Sequence, residues 1–367
     1  MTAANTVAER PTVSVIVPAR NEEVRLGACL ESLVGQTGVG FDVIVVDDGS
    51  TDRTREIAES FADVRVIEAD PLPQGWIGKN NALVSGVRFA KGEWFLFTDA
   101  DTEHRPGSLA KALAEAKARG AAMLSYSPEQ EVHGFWEKAV MPVIFAELAG
   151  RYRPAEVSDP GSRAAAANGQ YILISREAYQ AVGGHAAIAG DVLEDVALAR
   201  AVKKSGRRIF FRYGADAVRT RMYRSFRELR EGWTKNLALL FPSPGRLAVL
   251  RGLEFGLITA SLALTIKMSF ERQPGLFLTA AVFLALYGLF LNRIRKAHFA
   301  PSANGLAIIG LPVFSYLLVR SREFYRSGRV SWKGREYATK KADPSPGFHR
   351  SLTGKAPLKV PEASKGR

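Results

Sequence analysis

Three acidic clusters carry the chemistry that can be read from this chain. Asp99 and Asp101 flank Ala100 directly after the apolar run Trp94-Phe95-Leu96-Phe97, and Asp47-Asp48 closes another apolar run some fifty residues earlier. Carboxylates one residue apart at a strand end suit a hard divalent cation, Mg²⁺ or Mn²⁺, whose octahedron is completed by phosphate oxygens. Such a cation neutralises charge building on a departing phosphate. Glu194-Asp195 stands at the start of a helical pattern. There one carboxylate can take the proton of a hydroxyl nucleophile; the alternative is favourable charge at a helix N-terminus. Neighbours on a helix point about 100° apart, so only one faces a given partner, and Asp195 is the expected one. In Gln74-Gly75-Trp76-Ile77-Gly78-Lys79, glycines let backbone approach a ligand and Lys79 opens a helix as a phosphate-seeking charge. A solvated turn anchored by Trp76 is the alternative there.

Such residues need a scaffold that brings strand ends together. Apolar runs at 13–17, 41–46, 64–67 and 94–97 alternate with helical patterns at 22–34, 51–60 and 79–89. This alternation predicts an α/β domain with a parallel sheet and helices on both faces. Ligands of such sheets bind beyond the carboxyl ends of the strands, where Asp48, Asp99 and Asp101 fall. Further strands are expected at 123–126, 171–174 and 207–212, and helices at 135–148, 192–204 and 226–240. The Pro-, Ser- and Ala-rich stretch 152–167 reads as a mobile loop, and Val182-Gly183-Gly184-His185 as a turn.

The chain has 367 residues, enough for a catalytic domain of about 240 and an appendage. Its single cysteine, Cys29, excludes an internal disulfide and reads as a small buried apolar residue. Three apolar segments follow at 247–270, 275–291 and 305–319. The second is charge-free and long enough to span a bilayer; the third contains Pro312 and is short for a span. Residues 1–11 are polar, with no apolar run behind a basic start, so no signal peptide is visible and the catalytic part is expected in the cytoplasm.

Of the net charge of +13, residues 321–367 hold +8, from twelve Lys and Arg against four Asp and Glu. Next to apolar segments such a tail favours a membrane surface over nucleic acid, and no aromatic-rich nucleic-acid motif accompanies it. Positive loops stay inside. With Arg293, Arg295, Lys296 and the tail in the cytoplasm, the first two segments form a hairpin. The third then dips in and returns, or lies in the interface.

Four motifs in order carry a resemblance. Val13-Ser14-Val15-Ile16-Val17-Pro18-Ala19-Arg20-Asn21-Glu22-Glu23, Val45-Val46-Asp47-Asp48-Gly49-Ser50-Thr51-Asp52, Thr98-Asp99-Ala100-Asp101-Thr102 and Leu193-Glu194-Asp195-Val196 resemble the family 2 glycosyltransferases. The likeness covers about residues 11–240. It implies the GT-A fold, a Rossmann-like nucleotide-binding mixed sheet with helices on both faces, here followed by membrane-associated helices. It also implies that Pro18, Ala19 and Glu22 line the nucleotide pocket. Asp48 would then face the base, typically uracil, and Lys79 would lie near base or diphosphate. Asp99 would approach ribose or sugar, and Asp101 would hold the metal. Asp195 would be the general base with Glu194 beside it, and the anomeric centre would invert in one displacement.

Gln74 to Ala82, Asn168-Gly169-Gln170 and the turn at His185 look like the carotenoid- and hopanoid-associated branch of the family. His185 there either contacts diphosphate or acceptor or serves only the turn. The processive members' Gln-x-x-Arg-Trp is absent: Arg230 and Trp233 are separated by two residues and no Gln precedes them, which speaks against polymer synthesis. Arg230 and Trp233 either border the acceptor or lie on a lipid-facing helix.

The expectation is therefore a hexosyltransferase at the cytoplasmic membrane, its catalytic domain facing the cytoplasm. Residues 1–240 form that domain, 241–320 a membrane-embedded helical region, and 321–367 a basic cytoplasmic tail. A divalent metal and a nucleotide-sugar donor, which the resemblance implies is a UDP-sugar, serve transfer to a membrane lipid hydroxyl. A polyprenyl-phosphate sugar synthase and a membrane scaffold with a decayed transferase domain are the other readings.

Overall fold

A computed structural model of the chain describes residues 11–327 and two short strands at 329–332 and 335–338. The polar start, 1–10, and most of the basic tail, on which the leader and lipid-surface expectations rest, lie outside the described residues.

The first half alternates as its periodicity dictates: β1 (Val13–Ala19), α1 (Leu26–Val34), β2 (Phe41–Asp47), α2 (Thr54–Glu59), β3 (Val64–Glu68), α3 (Gly78–Val87) and β4 (Trp94–Phe97). β1 pairs in parallel with both β2 and β4, and β2 with β3. Side chains alternate across a strand. Val13, Val15 and Val17 therefore pack with Leu26, Leu30 and Leu33 of α1, while Ile16 points to the other face with Ile44, Val46 and Leu83. α3 lies so close to the sheet that a Cβ on Gly86 would stand 2.7 Å from Ile16 Cγ2.

The chain continues through β5 (Thr102–His104), α4 (Ser108–Ala118), β6 (Met123–Ser127), β7 (Glu129–Gln130), α5 (Phe135–Arg151), α6 (Pro154–Ser158), β8 (Ile172–Ser175), α7 (Arg176–Ala181), α8 (Glu194–Lys204), β9 (Ile209–Tyr213), β10 (Val218–Thr220) and α9 (Phe226–Leu240). Seven strands order as β3-β2-β1-β4-β8-β6-β9, and β5, β10 and β7 form a small second sheet. β8 runs antiparallel to both β4 and β6. The sheet is thus mixed, and not the parallel sheet that alternation alone implies. Ile172, Leu173 and Ile174 are all buried, and a strand buried on both faces carries no sequence mark of its direction.

Two local expectations are corrected. The helix expected from residue 22 starts at Leu26, because Asn21 takes a left-handed φ of 52°. The N–H groups of Asn21, Glu22 and Glu23 donate instead to Ser50 Oγ, Thr54 Oγ1 and Asp52 Oδ2. The stretch 152–167 is not a mobile loop either. It holds α6, its alanines 165–167 are buried, and Lys203 Nζ donates to the carbonyls of Val157 and Ala164 at 2.7 and 2.6 Å.

α10 (Pro244–Phe270), α11 (Leu276–Ile294) and α12 (Pro301–Arg326) complete the described helices. All three are long and apolar enough to cross a membrane. The third is therefore longer than expected: polar and charged turns extend the apolar core at both ends, and the helix runs to Arg326 without a break at 320. Its surroundings still set it apart. Buried residues make up 39% of its most apolar window against 11% for α10 and α11, because α12 packs along α5, α9 and α10. At Gly310 a Cβ would collide with the Ala139 carbonyl of α5, so only glycine permits that approach. α10 and α11 instead expose Leu253, Leu257, Phe270, Phe277 and Leu284.

Candidate active site

The carboxyl ends of β1, β2 and β4 open into one cavity of about 680 Å³. Pro18, Ala19, Glu22 and Asp48 line one end of it, and Lys79, Asp99, Asp101, Glu194 and Asp195 its middle. The two neighbouring aspartates at the end of β2 divide the work. Asp47 Oδ1 accepts the Ser50 N–H at 3.1 Å and shapes the turn, leaving Asp48 on the cavity wall. Arg20 donates to the Asp48 and Gly49 carbonyls and ties this turn to the end of β1.

The Asp99-Ala100-Asp101 loop is pinned from below. Thr98 Oγ1 donates to the Gln170 carbonyl at 2.8 Å, Thr102 Oγ1 to the Asp99 carbonyl at 2.7 Å, and Thr220 Oγ1 to the Asp101 carbonyl at 2.9 Å. Buried hydroxyls thus take up the backbone acceptors, and the two carboxylates are left on the cavity side. His104 joins this network neutral, since burial pushes its pKa down to about 3.

Lys79 bridges Asp99 Oδ1 at 2.7 Å and Glu194 Oε1 at 2.6 Å. Burial alone would lower its pKa, but Asp99 and Glu194 outweigh burial and keep the ammonium charged. Burial likewise opposes ionisation of Glu194, and Lys79 overcomes it, so the Glu194 carboxyl is held below its ordinary value. Asp195 behaves oppositely. Burial, then the charge of Glu194, pushes it up to about 7, although the Val196 and Gly169 N–H groups donate to its two oxygens at 2.7 and 3.1 Å. Two adjacent carboxylates with separated protonation are a pattern found at acid–base sites. The start of helix α8 and the acid pair with separated protonation thus coincide.

Lys79→Met offers a direct check on this electrostatic arrangement. Lys79 overcomes the burial that opposes ionisation of Glu194, so in Lys79→Met the Glu194 carboxyl is expected to titrate higher, read by infrared or carboxyl-resolved NMR titration. A Glu194 titration that stays in place would show that Lys79 does not hold that carboxylate ionised.

The remaining sequence-derived positions separate. Trp233 lines the cavity, is buried, and donates from Nε1 to Met141 Sδ at 3.4 Å. Arg230, three residues earlier on α9, is not among the cavity's lining residues. His185 lies behind the Lys79–Glu194 pair, 1% exposed, edge-on to Phe97 and 3.0 Å from the Tyr179 hydroxyl. Burial pushes its pKa down to about 4, so it is a neutral support of the turn.

Two positions escaped the sequence reading. Lys235 of α9 lines the cavity within electrostatic reach of Glu194, Asp99 and Asp195, and burial lowers its pKa. Arg25 pairs with Glu22 at 3.4 Å and with Glu228 of α9 at 2.6 Å, and adds positive charge near Asp101. The available signal was helical spacing: Glu228, Glu231 and Lys235 recur at three- and four-residue steps and share one face of α9.

Among the described residues no three metal-ligating side chains converge. The donor set still fits a hard divalent cation of the Mg²⁺ or Mn²⁺ type. Such ions take one or two carboxylates and fill their remaining positions with substrate phosphates and water. Asp101 supplies a carboxylate on the cavity wall, and Asp99 is its neighbour there.

Residues 14–183 match the family described as Glycosyl transferase family 2. The chain is 30% identical over 340 residues to the 4,4'-diaponeurosporenoate glycosyltransferase of Staphylococcus aureus strain MRSA252, a match covering 90% of this chain and 89% of that protein. It is likewise 30% identical over 339 residues to the enzyme of that name from strain USA300. Its fold is similar to that of the mannosyltransferase PcManGT from Pyrobaculum calidifontis, solved in complex with GDP-Man and Mn²⁺. That likeness has a TM-score of 0.51 at 20% identity and covers 86% of this chain and 87% of the other. The fold is thus of GT-A type. Kinship along nearly the whole of both sequences then settles the matter: this chain belongs to the family 2 glycosyltransferases.

Proposed function

We propose that the enzyme transfers a single sugar, with inversion, from a nucleotide sugar to the hydroxyl of a membrane lipid of carotenoid, hopanoid or glycerolipid type. The single observation behind this is the position of Asp195. It lines the cavity that Asp48, Asp99 and Asp101 share, with both oxygens held by backbone N–H groups. In the step proposed, the acceptor O–H gives its proton to the Asp195 carboxylate while its oxygen bonds to the anomeric carbon. The bond from that carbon to the diphosphate breaks, and the diphosphate leaves with the electron pair. Lys79, Arg25 and Lys235 bring positive charge toward that group, Glu22, Pro18 and Ala19 flank the nucleotide, and Asp48 faces the base. A divalent cation held by Asp101, when bound, would neutralise charge on the departing diphosphate.

Residues 1–240 would do this chemistry from the cytoplasmic face, with 241–320 holding them at the cytoplasmic membrane and the 321–367 tail against anionic lipid. α10 and α11 then enter the bilayer as a hairpin, and α12, packed along α5 and α9, lies near the interface. The half-exposed rings of Phe135 and Trp136, 5.1 Å apart, suit that level. A panel of nucleotide sugars supplied with Mg²⁺ or Mn²⁺ to membrane vesicles containing the enzyme tests the reaction and the orientation together. Glycolipid identified by mass spectrometry is expected from inside-out vesicles only. Product formed by right-side-out vesicles refutes the orientation, and the absence of product with every donor in both vesicle types refutes the transfer.

One observation favours a second reading. The Staphylococcus relatives are named for a carboxylate substrate, 4,4'-diaponeurosporenoate. An acceptor that is already ionised, a carboxylate or a polyprenyl phosphate, needs no general base. Asp195→Asn separates the two readings, as argued in the Discussion.

A further inference from the structure

The cavity does not end at the acid pair. Beyond Asp195 its wall is largely apolar, with Phe145 and Leu148 of α5, Tyr152 just past its end, Leu240 of α9 and Tyr213 of β9, while Asn236, Lys296 and His298 add polar groups to the same lining. These side chains are half-buried or exposed, whereas core neighbours such as Val143 and Leu237 are fully buried. Their remaining surface borders the cavity. The Tyr152 hydroxyl, 3.4 Å from the Leu240 carbonyl, joins the ends of α5 and α9.

The lip of this arm comes from the helices that expose apolar surface. His298 belongs to the link between α11 and α12 and stacks on Tyr213, with ring centroids 4.4 Å apart and planes 13° apart. Its φ of 61° lies in the left-handed region, which side-chain-bearing residues rarely adopt. The next residue, Phe299, sets its ring edge-on to Phe145 at 5.9 Å. Charges fasten the same helices to the arm. Glu147 of α5 pairs with Arg251 of α10 at 2.9 Å and with Arg293 of α11, and Glu254 pairs with both arginines at 2.8 and 2.6 Å. Charged residues inside an apolar helix are costly unless paired, so this quartet fixes where the hairpin sits against the cavity.

We propose that this arm, running from Asp195 to the Tyr213–His298 lip, holds the hydrocarbon chain of an elongated acceptor whose terminal oxygen receives the sugar. The chain lies between α5, α9 and the α11–α12 link, and leaves toward the exposed apolar faces of α10 and α11. The inference rests on the transfer reading above. It adds that the membrane hairpin builds one wall of the acceptor site. The donor end of the cavity is acidic and the arm largely apolar, so the two substrates are sorted by chemistry along one cavity. A small polar acceptor would leave the arm filled with water against apolar walls.

Ala149 sits one turn from Phe145 on α5 and lines the same cavity. Transfer to butanol, dodecanol and octadecanol, and to the corresponding carboxylic acids, is measured in one detergent with Ala149→Trp. The quantity read is the ratio of kcat/KM for the longest to the shortest acceptor. That ratio is expected to fall at least about tenfold, the loss of roughly two buried methylene groups of contact. Leu240→Trp, on the facing wall, carries the same expectation should the first variant fail to fold. An unchanged ratio in a folded variant that still transfers sugar overturns the inference and leaves the transfer reading standing. If the unaltered enzyme glycosylates none of the series, the transfer reading falls, and the acceptor arm with it.

Discussion

Asp195→Asn is expected to lower transfer to a hydroxyl acceptor by about 10²–10⁴-fold, the usual contribution of a positioned general base. Donor affinity should change little, because the substitution keeps the shape that receives the Gly169 and Val196 N–H groups. The sign of the pH dependence follows from the same residue. Asp195 works as a base only when ionised, and burial together with ionised Glu194 holds its proton up to about pH 7. Transfer by the unaltered enzyme should therefore rise with pH through this region and level off above it. In Asp195→Asn that rise should vanish. Full transfer by the variant to an alcohol would remove Asp195 from the mechanism. Retained transfer to a carboxylate or phosphate acceptor alone would favour the ionised-acceptor reading. Glu194 cannot readily take over, because Lys79 at 2.6 Å holds its carboxyl ionised and engaged.

The second large effect is expected at Asp101. Removing its carboxylate with Asp101→Ala should abolish the metal-stimulated part of turnover, a loss of roughly 10²–10³-fold or more. Binding gives a readout independent of turnover. The electron paramagnetic resonance of Mn²⁺ titrated with nucleoside diphosphate should report a bound ion in the unaltered protein and little in the variant. The variant keeps the backbone carbonyl bonds by which Thr98, Thr102 and Thr220 pin the loop, and circular dichroism and thermal melting check that it folds. Metal-stimulated transfer at the unaltered rate in Asp101→Ala would assign the metal elsewhere.

The sequence was most legible where the chemistry lies at the ends of short apolar runs. β4 and α9 have the bounds their patterns predict, and the acidic strand ends of β2 and β4 do meet in one cavity. Legibility failed where a backbone conformation answers to distant partners. Periodicity starts the first helix near residue 22, yet Ser50, Asp52 and Thr54 draw the preceding N–H groups into another turn. The alanine-rich stretch 152–167 lacks a pattern of its own, and contacts with distant residues, Lys203 and Phe211 among them, order it. Arg251 and Glu254 interrupt an apolar segment in one dimension. In three dimensions they complete a charge quartet with Glu147 and Arg293.

The acidic residues, the strand–helix alternation and the long apolar segments are thus properties of the sequence by itself. Each depends on residue type and on spacings of two or of three to four residues, and those spacings fix which face a side chain shares. Partnership is what tertiary structure decided. Lys79 holds Asp99 and Glu194 at once, Arg25 reaches Glu228 across 203 residues, and β8 enters the sheet against the direction of its neighbours. The reason is physical: the ionisation of a carboxylate depends on burial and on charges a few ångströms away. Chain folding, and not sequence spacing, brings those charges near. Glu194 and Asp195 are adjacent in sequence, and only the folded site makes one an ion-pair partner and leaves the other with its pKa near 7.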